Sequence, residues 1–443
     1  MVINIVAPPL IENSAVQGAA HMMQSEMFAL LSLKNHESFC DVLHLHPPCD
    51  LILFIAQTIS DLTSGWIKEY VGHYDHACLF GLCGRAASIE VEYTLCNMNY
   101  IDFVILGEPE DTLLELVKNL HSHKAMNNHM QGINGLYYRY KGESFKTEKR
   151  VAHENLDDYP MPNYEHLKLG QKYFNVCSLE ASRHCYGNCI FCGGNVYRHQ
   201  NHGEITRAKS ADRIYDEINY VVKEHNVRFF AFQDDNFFYD GNEGYRRAEK
   251  LADLLIGQKT RVRFSIQCRV SDISQDLFGY LKKAGLYKVF IGLESGSQDV
   301  LDRYNKGTTV NDNEKAINIL GNEGLRCQHG YILFDPFTTK KELRETIDFF
   351  IPYKDKLFSF TEGFLETRYL ELPTGCKAYE VFKHIHSSFS MVTPESFVAE
   401  NYFLNTETID IYNHFNKIIV KRPRKGSVFS DELSALEVAI EGK

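Results

Sequence analysis

Three cysteines lie within eight residues of one another, at Cys185, Cys189 and Cys192. The gaps of three and two residues let one tight loop direct three thiolates at a common centre, and Gly187 permits the turning. No fourth cysteine follows within ten residues. Sulfur-rich ligand sets of this kind bind zinc or an iron-sulfur cluster. A cluster held by only three cysteines keeps one iron open for a small-molecule ligand.

A structural zinc site is the alternative chemistry for the same loop. Zinc usually takes four protein ligands, commonly arranged as two separated pairs. His184 or His199 could supply the fourth ligand here. The cysteine triad by itself therefore leaves both the cluster and zinc open.

Polar side chains also stand where successive predicted strands end. Taken singly, an aspartate pair after a strand is commonly a helix cap, and a strand-end arginine is commonly a surface ion pair. Their order along the chain favours a shared site, because barrel enzymes place their chemistry at the carboxyl ends of the strands. These residues are Asp234 and Asp235, Gln267 and Arg269, Glu294 and Ser295, and Tyr331.

The spacing Cys-x3-Cys-x-aromatic-Cys, with Phe191 in the aromatic position, resembles the signature of the radical S-adenosylmethionine (SAM) superfamily. The resemblance extends from the first residue to about Tyr353. It implies a [4Fe-4S] cluster bound by Cys185, Cys189 and Cys192, with SAM completing the coordination of the open iron. It also implies reductive cleavage of SAM to a 5′-deoxyadenosyl radical, which abstracts hydrogen from a substrate.

The same resemblance implies roles for the strand-end residues. Asp234 and Asp235 would hold the SAM ammonium, and Arg269, which follows Gln267 at the end of its strand, would bind the SAM carboxylate through its planar guanidinium. Glu294 and Ser295 would contact the ribose or the ammonium group of SAM. Tyr331 lies where the backbone would contact the adenine ring.

The fate of the substrate radical is less well defined by the sequence. We expect cobalamin-independent dehydration, deoxygenation or epimerisation of a small molecule or peptide in natural-product tailoring, with a flavodoxin or ferredoxin as electron donor. The alternative is cobalamin-dependent C-methylation. Cys327 and Cys376 are candidate hydrogen-atom donors to a product radical, although a buried cysteine more often serves as a small hydrophobic residue.

Strands alternate with helices along most of the chain, which predicts an α/β protein. We predict an N-terminal doubly wound parallel sheet, then a partial (β/α)6 barrel of the TIM type and a small C-terminal α/β cap. The predicted boundaries are 1–125 for the first domain, 126–170 for a connector, 171–357 for the core, and 358–443 for the last core strand and cap.

The N-terminal domain resembles the cobalamin-binding domain that precedes many radical SAM cores. Pro8-Pro9 after the first strand and Gly107-Glu-Pro-Glu-Asp-Thr112 after the last are recurrent there. The Asp-x-His-x-x-Gly motif that supplies a cobalt ligand is absent, and only residues 46–50 separate the predicted second and third strands. Since a crossover helix needs a longer connection, we expect a degenerate domain with weak or no cobalamin binding.

Composition excludes several other classes of protein. The net charge of −11 argues against nucleic-acid binding through charge, and twelve cysteines without a paired framework suggest a reducing cytoplasm. The first residues lack the pattern of a signal peptide, and no apolar run is long enough for a membrane span. A zinc-containing nucleotide-binding protein is disfavoured, because no Gly-x-Gly-x-x-Gly follows the first strand.

Overall fold

The fold was analysed in a computed structural model of the chain. It describes residues 3–6, 51–57, 59–63, 65–72, 79–122, 130–162, 164, 167, 176–201, 206–354, 357–359, 370, 372–385, 398–421 and 428–442. The predicted helix at 15–33 and the predicted strand at 41–45 lie outside these ranges.

A six-stranded sheet forms the N-terminal domain, in the spatial order β1 to β6. The first four strands are parallel, and they are β1 Ile3–Val6, β2 Leu51–Ile55, β3 Leu79–Cys83 and β4 Phe103–Ile105. The strands from β2 to β4 are buried along their whole length, because helices cover both faces of such a sheet. The helices are α1 Ile59–Thr63, α2 Trp66–Val71, α3 Arg85–Ile89, α4 Val91–Asn97 and α5 Pro109–Ser122.

Strand β3 ends later than the sequence indicates. The sequence predicts a strand at 76–80 with a turn from Gly81, but Gly81 lies in the middle of Leu79–Cys83, and residues 76–78 lie outside the described residues. A Cβ at Gly81 would lie 2.2 Å from the Phe103 ring, so the glycine makes room for an aromatic side chain on the neighbouring strand. The turn comes at Gly84, which has a φ of 107°.

A β-hairpin inside the predicted connector extends the N-terminal sheet. Strand β5, Leu136–Tyr140, pairs antiparallel with β4, and β6, Glu143–Lys146, pairs antiparallel with β5. The turn contains Lys141 and Gly142, both with positive φ. The sheet of the first domain therefore reaches residue 146, beyond the predicted boundary at 125.

The second six-stranded sheet is parallel throughout, in the order β14-β13-β12-β11-β10-β7. Its strands are β7 Val176–Leu179, β10 Phe229–Phe232, β11 Arg263–Arg269, β12 Leu286–Glu294, β13 Arg326–Tyr331 and β14 Leu357–Ser359. Two short strands, β8 Ser182–Arg183 and β9 Arg207–Ala208, pair beside it. In the described residues the edge strands β7 and β14 do not pair with each other, so the barrel is open, as a partial barrel should be.

Helices connect the strands of this sheet in the pattern that parallel strands require. They are α6 Gly193–Asn201, α7 Ala211–His225, α8 Asn242–Gly257, α9 Gln275–Ala284, α10 Gln298–Arg303, α11 Val310–Asn322 and α12 Lys340–Phe350. Thr309 and Thr339 cap α11 and α12, and in each case the third helical residue bonds back to the threonine. These caps fix where both helices begin and therefore where the preceding loops end.

The described part of the chain after β14 is helical. Its helices are α13 Lys377–Ile385, α14 Ala399–Tyr402, α15 Thr406–Lys421 and α16 Val428–Glu441. They share a buried apolar cluster with Phe334 and with Leu343 and Ile347 of α12, so they cover one side of the barrel. Among the helices of the described residues, none combines the length and apolar character that crossing a bilayer requires.

Candidate active site

The three cysteines lie in a loop that begins just after β8 and ends where α6 begins. His184, immediately before Cys185, has a φ of 70°, a left-handed conformation that is unusual for a residue other than glycine. The carbonyl of Cys185 accepts a hydrogen bond from Nη1 of Arg198 at 2.6 Å. Both the entry to the loop and its exit into α6 are therefore held in place.

Each cysteine has a nearby N–H group that favours a thiolate. Sγ of Cys185 accepts a hydrogen bond from the backbone N–H of Gly187 at 3.3 Å, and Sγ of Cys189 accepts one from Arg269 Nη1 at 3.4 Å. At Cys192, burial and then the charge of Asp235 raise the pKa, and the backbone N–H of Asn195 partly opposes this rise. Donors directed at all three sulfurs suit thiolate ligands, and the donor set therefore fits a [4Fe-4S] cluster.

Burial acts in the opposite direction on these thiols. It raises the pKa of Cys185 to about 11, and burial followed by the charge of Asp235 raises the pKa of Cys192. Metal binding must therefore displace protons from the loop. Across the ranges that the structure describes, no three His, Cys, Asp or Glu side chains are already gathered around one point as the ligands of a single metal ion would be.

Arg269, at the end of β11, lies against the cysteine loop. Besides donating to Cys189, it donates through Nη2 to the carbonyl of Lys306, and its guanidinium lies 5.5 Å from the centre of the Tyr186 ring. A Cβ at Gly187 would lie 2.4 Å from Nη1, so only glycine allows the arginine this position. Both terminal nitrogens of the guanidinium are thus engaged by the protein.

Asp234, at the end of β10, supports the strand that leads into the cysteine loop. Its Oδ1 accepts hydrogen bonds from the backbone N–H of Ala181 at 3.0 Å and from Oγ of Ser182 at 2.6 Å. Its carbonyl accepts a hydrogen bond from Gln267. Burial raises the pKa of Asp234 to about 6, although the charge of Arg247 opposes this.

Asp235 connects the barrel to the N-terminal domain. Its Oδ1 forms an ion pair with Nη2 of Arg85 at 2.7 Å, and Arg85 is the first residue of α3. Burial raises the pKa of Asp235, but Arg85 and then His184 lower it, and the net shift is downward. A Cβ at Gly194 would lie 3.3 Å from Sγ of Cys192 and 3.5 Å from Oδ2 of Asp235, so this carboxylate is next to the cysteine loop.

Glu294 and Ser295 end β12 in different environments. Glu294 has a φ of 61°, and its Oε1 accepts a hydrogen bond from Nζ of Lys306 at 2.6 Å. The Ser295 hydroxyl lies 2.9 Å from that of Thr346 on α12 and accepts a hydrogen bond from the backbone N–H of Ser297. Only Glu294 of the two therefore reaches the group around Arg269.

The two predicted aromatic positions contact different neighbours. Phe191 packs edge-on against Tyr304, with the ring centres 5.0 Å apart. Tyr331 stacks on His329, with centres 5.4 Å apart, and its hydroxyl donates to Glu432 on α16. The Tyr331 side chain thus contacts the C-terminal helices, and its contact with adenine stays a prediction.

The two candidate hydrogen donors differ in their distance from the loop. Cys327 lies in the main apolar core with Ile317 and Leu320 of α11, and burial raises its pKa to about 12. Cys376 lies in a segment that contacts the cysteine loop, because the N–H of Ala378 donates to the carbonyl of Ile190 at 3.1 Å. Their role as hydrogen donors stays a prediction.

A buried cluster of charges joins the two domains next to the loop. Arg183 donates to Glu108 and Glu110 at 2.6 Å each and to Glu180 at 3.0 Å, and Arg207 also pairs with Glu108. Glu108 precedes α5 and Glu110 lies in its first turn, where the helix dipole alone would favour carboxylates. The spacing Gly-Glu-x-Glu was the signal that they share one partner, but nothing in the sequence named Arg183. Nothing in the sequence indicated that Lys306 lies near the cysteine loop either.

A small polar cleft of about 20 Å³, partly open to solvent, lies between the carboxyl edge of the N-terminal sheet and the cysteine loop. Residues of both domains line it, including Arg85 and Glu108 from the first and His184, Tyr197 and Asp235 from the second. A ligand in this cleft would contact both domains at once.

Comparisons with known proteins agree with this geometry. The family model of the radical SAM superfamily matches residues 179–350. The chain is 27% identical over 272 residues to an uncharacterized methyltransferase of Pyrococcus horikoshii, covering 60% of this chain and 56% of that protein. It is 25% identical over 324 residues to the anaerobic magnesium-protoporphyrin IX monomethyl ester cyclase of Cereibacter sphaeroides, covering 72% and 52%. The chain thus spans about half the length of these curated relatives.

Two solved structures share the fold over most of the chain. The cobalamin-dependent SAM radical enzyme OxsB, with aqua-cobalamin and SAM bound, superposes with a TM-score of 0.69 at 16% identity, covering 99% of this chain and 72% of that one. The radical SAM methyltransferase TsrM from Kitasatospora setae has a TM-score of 0.68 at 12% identity, covering 88% and 77%. The chain therefore contains a radical SAM domain at residues 179–350, and over most of its length it shares the fold of these two enzymes.

Proposed function

We propose that the chain is a cobalamin-dependent radical SAM enzyme that transfers a methyl group to a carbon atom of a small molecule or peptide. From the sequence alone we favoured a cobalamin-independent dehydration, deoxygenation or epimerisation. The relatives support the alternative better, because they include methyltransferases and a cyclase, and the superposable structures are cobalamin-dependent enzymes. A flavodoxin or ferredoxin is the electron donor in this proposal.

The observation that carries the proposal is the cleft between the N-terminal sheet and the cysteine loop. In open α/β sheets, ligands bind outside the carboxyl ends of the strands. Here that edge faces the loop directly, and Arg85 at the edge lies 2.7 Å from Asp235 beside Cys192. A cofactor bound on the N-terminal sheet would therefore be adjacent to the iron-sulfur site, as transfer between two cofactors requires.

The lining of this small cleft supplies partners for amide groups, such as those on the side chains of the corrin ring of cobalamin. Carboxylates accept hydrogen bonds from amide nitrogens, and guanidinium groups donate to amide oxygens; Glu108, Asp235 and Arg85 supply both kinds of partner. At Gly84 the backbone comes so close to β2 that a Cβ would lie 2.5 Å from the carbonyl of Ala56. This leaves the sheet edge free of a side chain at that point.

The protein's own contribution follows from the described contacts. Cys185, Cys189 and Cys192 would hold the cluster, and Arg269 donates a hydrogen bond to Cys189. When bound, the cluster with SAM supplies a 5′-deoxyadenosyl radical and cobalamin supplies a transferable methyl group. The C-terminal segment covers the loop through the hydrogen bond between Ala378 and Ile190, which helps to exclude water from reactive species.

The experiment is anaerobic reconstitution with iron, sulfide and cobalamin, followed by incubation with SAM and a strong reductant. We expect stoichiometric cobalamin with its visible absorption after gel filtration, and formation of both S-adenosylhomocysteine and 5′-deoxyadenosine. Cys189→Ala is the control and should form no 5′-deoxyadenosine. If the wild type forms 5′-deoxyadenosine but retains no cobalamin and forms no S-adenosylhomocysteine, methyl transfer is refuted and the cobalamin-independent reactions take its place.

A further inference from the structure

The inner face of the core sheet extends from the cysteine loop to the opposite, amino ends of the strands. Along β12 the residues alternate between two environments, as they must in a strand. One set is buried in the main apolar core, and it consists of Val289, Ile291 and Leu293. The other set is partly exposed on the opposite face, and it consists of Lys288, Phe290 and Gly292. Since Gly292 pairs with Arg269, the partly exposed face is the one that leads to the cysteine loop.

Three basic residues lie on this face at the amino ends of three neighbouring strands. Lys288 pairs in register with Arg326, the first residue of β13, and with Ser265 of β11. Arg263, the first residue of β11, precedes Ser265 by two positions and therefore lies on the same face. Neighbouring strands are only about 4.8 Å apart, so the three cations are gathered at one end of the face.

The charge of this cluster is not balanced by its surroundings. The chain as a whole has a net charge of −11, yet in the four strands from β10 to β13 the one carboxylate is Glu294, at the far end of β12. In the described part of the chain, Nζ of Lys288 forms no hydrogen bond and no ion pair. Burial and then the charge of Arg326 lower the pKa of Lys288. A partly buried cation beside a second cation is unfavourable, and a bound anion would remove the cost.

We propose that Arg263, Lys288 and Arg326 bind the phosphate or carboxylate group of the substrate, which lies along the inner face of the sheet with its reacting carbon at the cysteine loop. Gly292, opposite Arg269, is four residues after Lys288, and four residues of strand span about 13 Å. The substrate is therefore an elongated organic anion of about this length or more. The anion site stands on the described contacts, whereas its assignment to the substrate rests on the proposed function.

The middle of the face offers both an apolar surface and amide groups. Phe290 lies between two glutamines, because its register partners are Gln267 of β11 and Gln328 of β13. All three are partly exposed. A Cβ at Gly330 would lie 3.0 Å from the Phe290 ring, so the ring extends over bare backbone of the neighbouring strand. The face thus suits a carbon chain with a few hydrogen-bonding groups between its anionic end and its reacting carbon.

The competing explanation is that the three cations are ordinary solvated surface charges. Reductive methylation with formaldehyde and dimethylamine–borane separates the two, because only the uncharged amine reacts and a bound anion holds Lys288 as the ammonium. In the reconstituted protein, inorganic phosphate should bind with a dissociation constant of about 1 mM, so that about 10 mM slows the labelling of Lys288 roughly tenfold. At constant ionic strength, labelling of Lys341, which is 70% exposed, should change less than about 1.5-fold. Peptide mass spectrometry measures both rates.

Octyl phosphate and octanoate test the length of the ligand and the identity of its anionic group. We expect at least one of them to protect Lys288 with a dissociation constant about tenfold below that of inorganic phosphate, because the carbon chain would lie against Phe290. The anion that protects at the lower concentration shows whether the site takes a phosphate or a carboxylate. 1-Octanol, which has the same chain without a charge, should give no protection.

Matched arginine variants locate the site through the same measurement. Arg263→Gln removes an exposed cation of the cluster and should raise the dissociation constant of the better octyl anion about 5- to 30-fold. Arg326→Gln should have a similar effect and provides the test if Arg263→Gln does not fold. Arg246→Gln, at a side chain on α8 that is 72% exposed, is the control and should leave the dissociation constant unchanged.

Three results would overturn the inference. Equal slowing at Lys288 and Lys341 would show a general effect of phosphate on lysines. An unchanged dissociation constant in both variants of the cluster would remove the arginines from the site. Octyl anions that protect no better than inorganic phosphate would show that no elongated ligand lies along the face. None of these measurements uses SAM or cobalamin, so their failure leaves the proposed function intact, and failure of the reconstitution experiment would remove only the assignment of the anion to a substrate.

Discussion

Glu108 and Glu110 are two residues apart and share Arg183, yet the same substitution at each should have opposite effects. Both carboxylates are buried, with 9% and 2% exposure. Burial raises the pKa of Glu108, but the combined effect of Arg183, His184 and Arg207 is larger and in the opposite direction. The pKa of Glu108 therefore lies well below its usual value. Burial dominates at Glu110 and raises its pKa to about 7. The fold therefore favours the ionised form of Glu108 and the protonated form of Glu110.

The magnitudes follow from these environments. Glu108→Gln removes a charge that pairs with both Arg183 and Arg207, and breaking a buried ion pair destabilises a protein by about 3–5 kcal/mol. At roughly 2–4 °C for each kcal/mol in a domain of this size, the melting temperature should fall by at least about 6 °C. Glu110→Gln resembles the protonated acid that the fold already favours. Its melting temperature at pH 7 should therefore equal or exceed that of the wild type.

The pH dependence gives the sign of each effect. The folded state keeps the Glu110 proton up to about pH 7, whereas the unfolded state loses it near 4.5, so the wild type loses stability as pH rises between these values. Glu110→Gln is free of this loss, and its advantage in the free energy of unfolding should grow from pH 5 to pH 7 by roughly 2 kcal/mol. Glu108 contributes stability above pH 4.5 that is lost only at lower pH, so the deficit of Glu108→Gln should stay constant from pH 5 to pH 8.

The assay is thermal unfolding of the wild type and both variants at pH 5, 6, 7 and 8, after matching their iron content. Equal melting temperatures for the two variants at every pH would refute the reasoning, because the two carboxylates would then be equivalent. A deficit of Glu110→Gln that grows with pH would refute it as well. Either result would mean that the buried charges at the domain junction are distributed differently.

Three further outcomes are expected. Anaerobically reconstituted protein should contain about four iron and four sulfide ions, and Cys189→Ala much less, whereas one zinc per chain by metal analysis would contradict the cluster. Burial raises the pKa of Glu432 to about 8, so Glu432→Gln should match the wild type in melting temperature at pH 5 and exceed it at pH 8; a deficit at pH 8 would contradict this. Gly81→Ala places a methyl group 2.2 Å from the Phe103 ring and should destabilise the N-terminal domain by about 1–3 kcal/mol, which an unchanged urea midpoint would disprove.

The alternation of apolar strands and amphipathic helices was readable because it depends on residues close together in the chain. The apolar runs at 262–269 and 288–295 each predict a core strand, and the structure has strands at Arg263–Arg269 and Leu286–Glu294. Predictions of secondary structure failed where the choice of residue depends on packing against a residue distant in the sequence. Gly81 reads as a turn locally, but it is a strand residue that accommodates Phe103.

The order of the strands along the chain also predicted part of the site. Strand ends place Asp235, Arg269 and Glu294 around the cysteine loop, because parallel strands bring their carboxyl ends to one edge. Asp234 and Ser295 lie at the same edge, yet their side chains hold neighbouring loops and helices. Which way a strand-end side chain points depends on the loop that follows it, and spacing alone does not determine that.

By itself, the sequence determined the cysteine spacing, the aromatic position within it and the order of the strands, since each is a local pattern. Only the tertiary structure paired Arg183 with Glu108, 75 residues earlier, and brought Lys306 to Glu294 beside the cysteine loop. Both arrangements are buried ion pairs, whose geometry is fixed by how strands and domains pack together. The sequence does not show which ion pair a charged residue forms, because the same residue could equally be exposed to solvent in another fold.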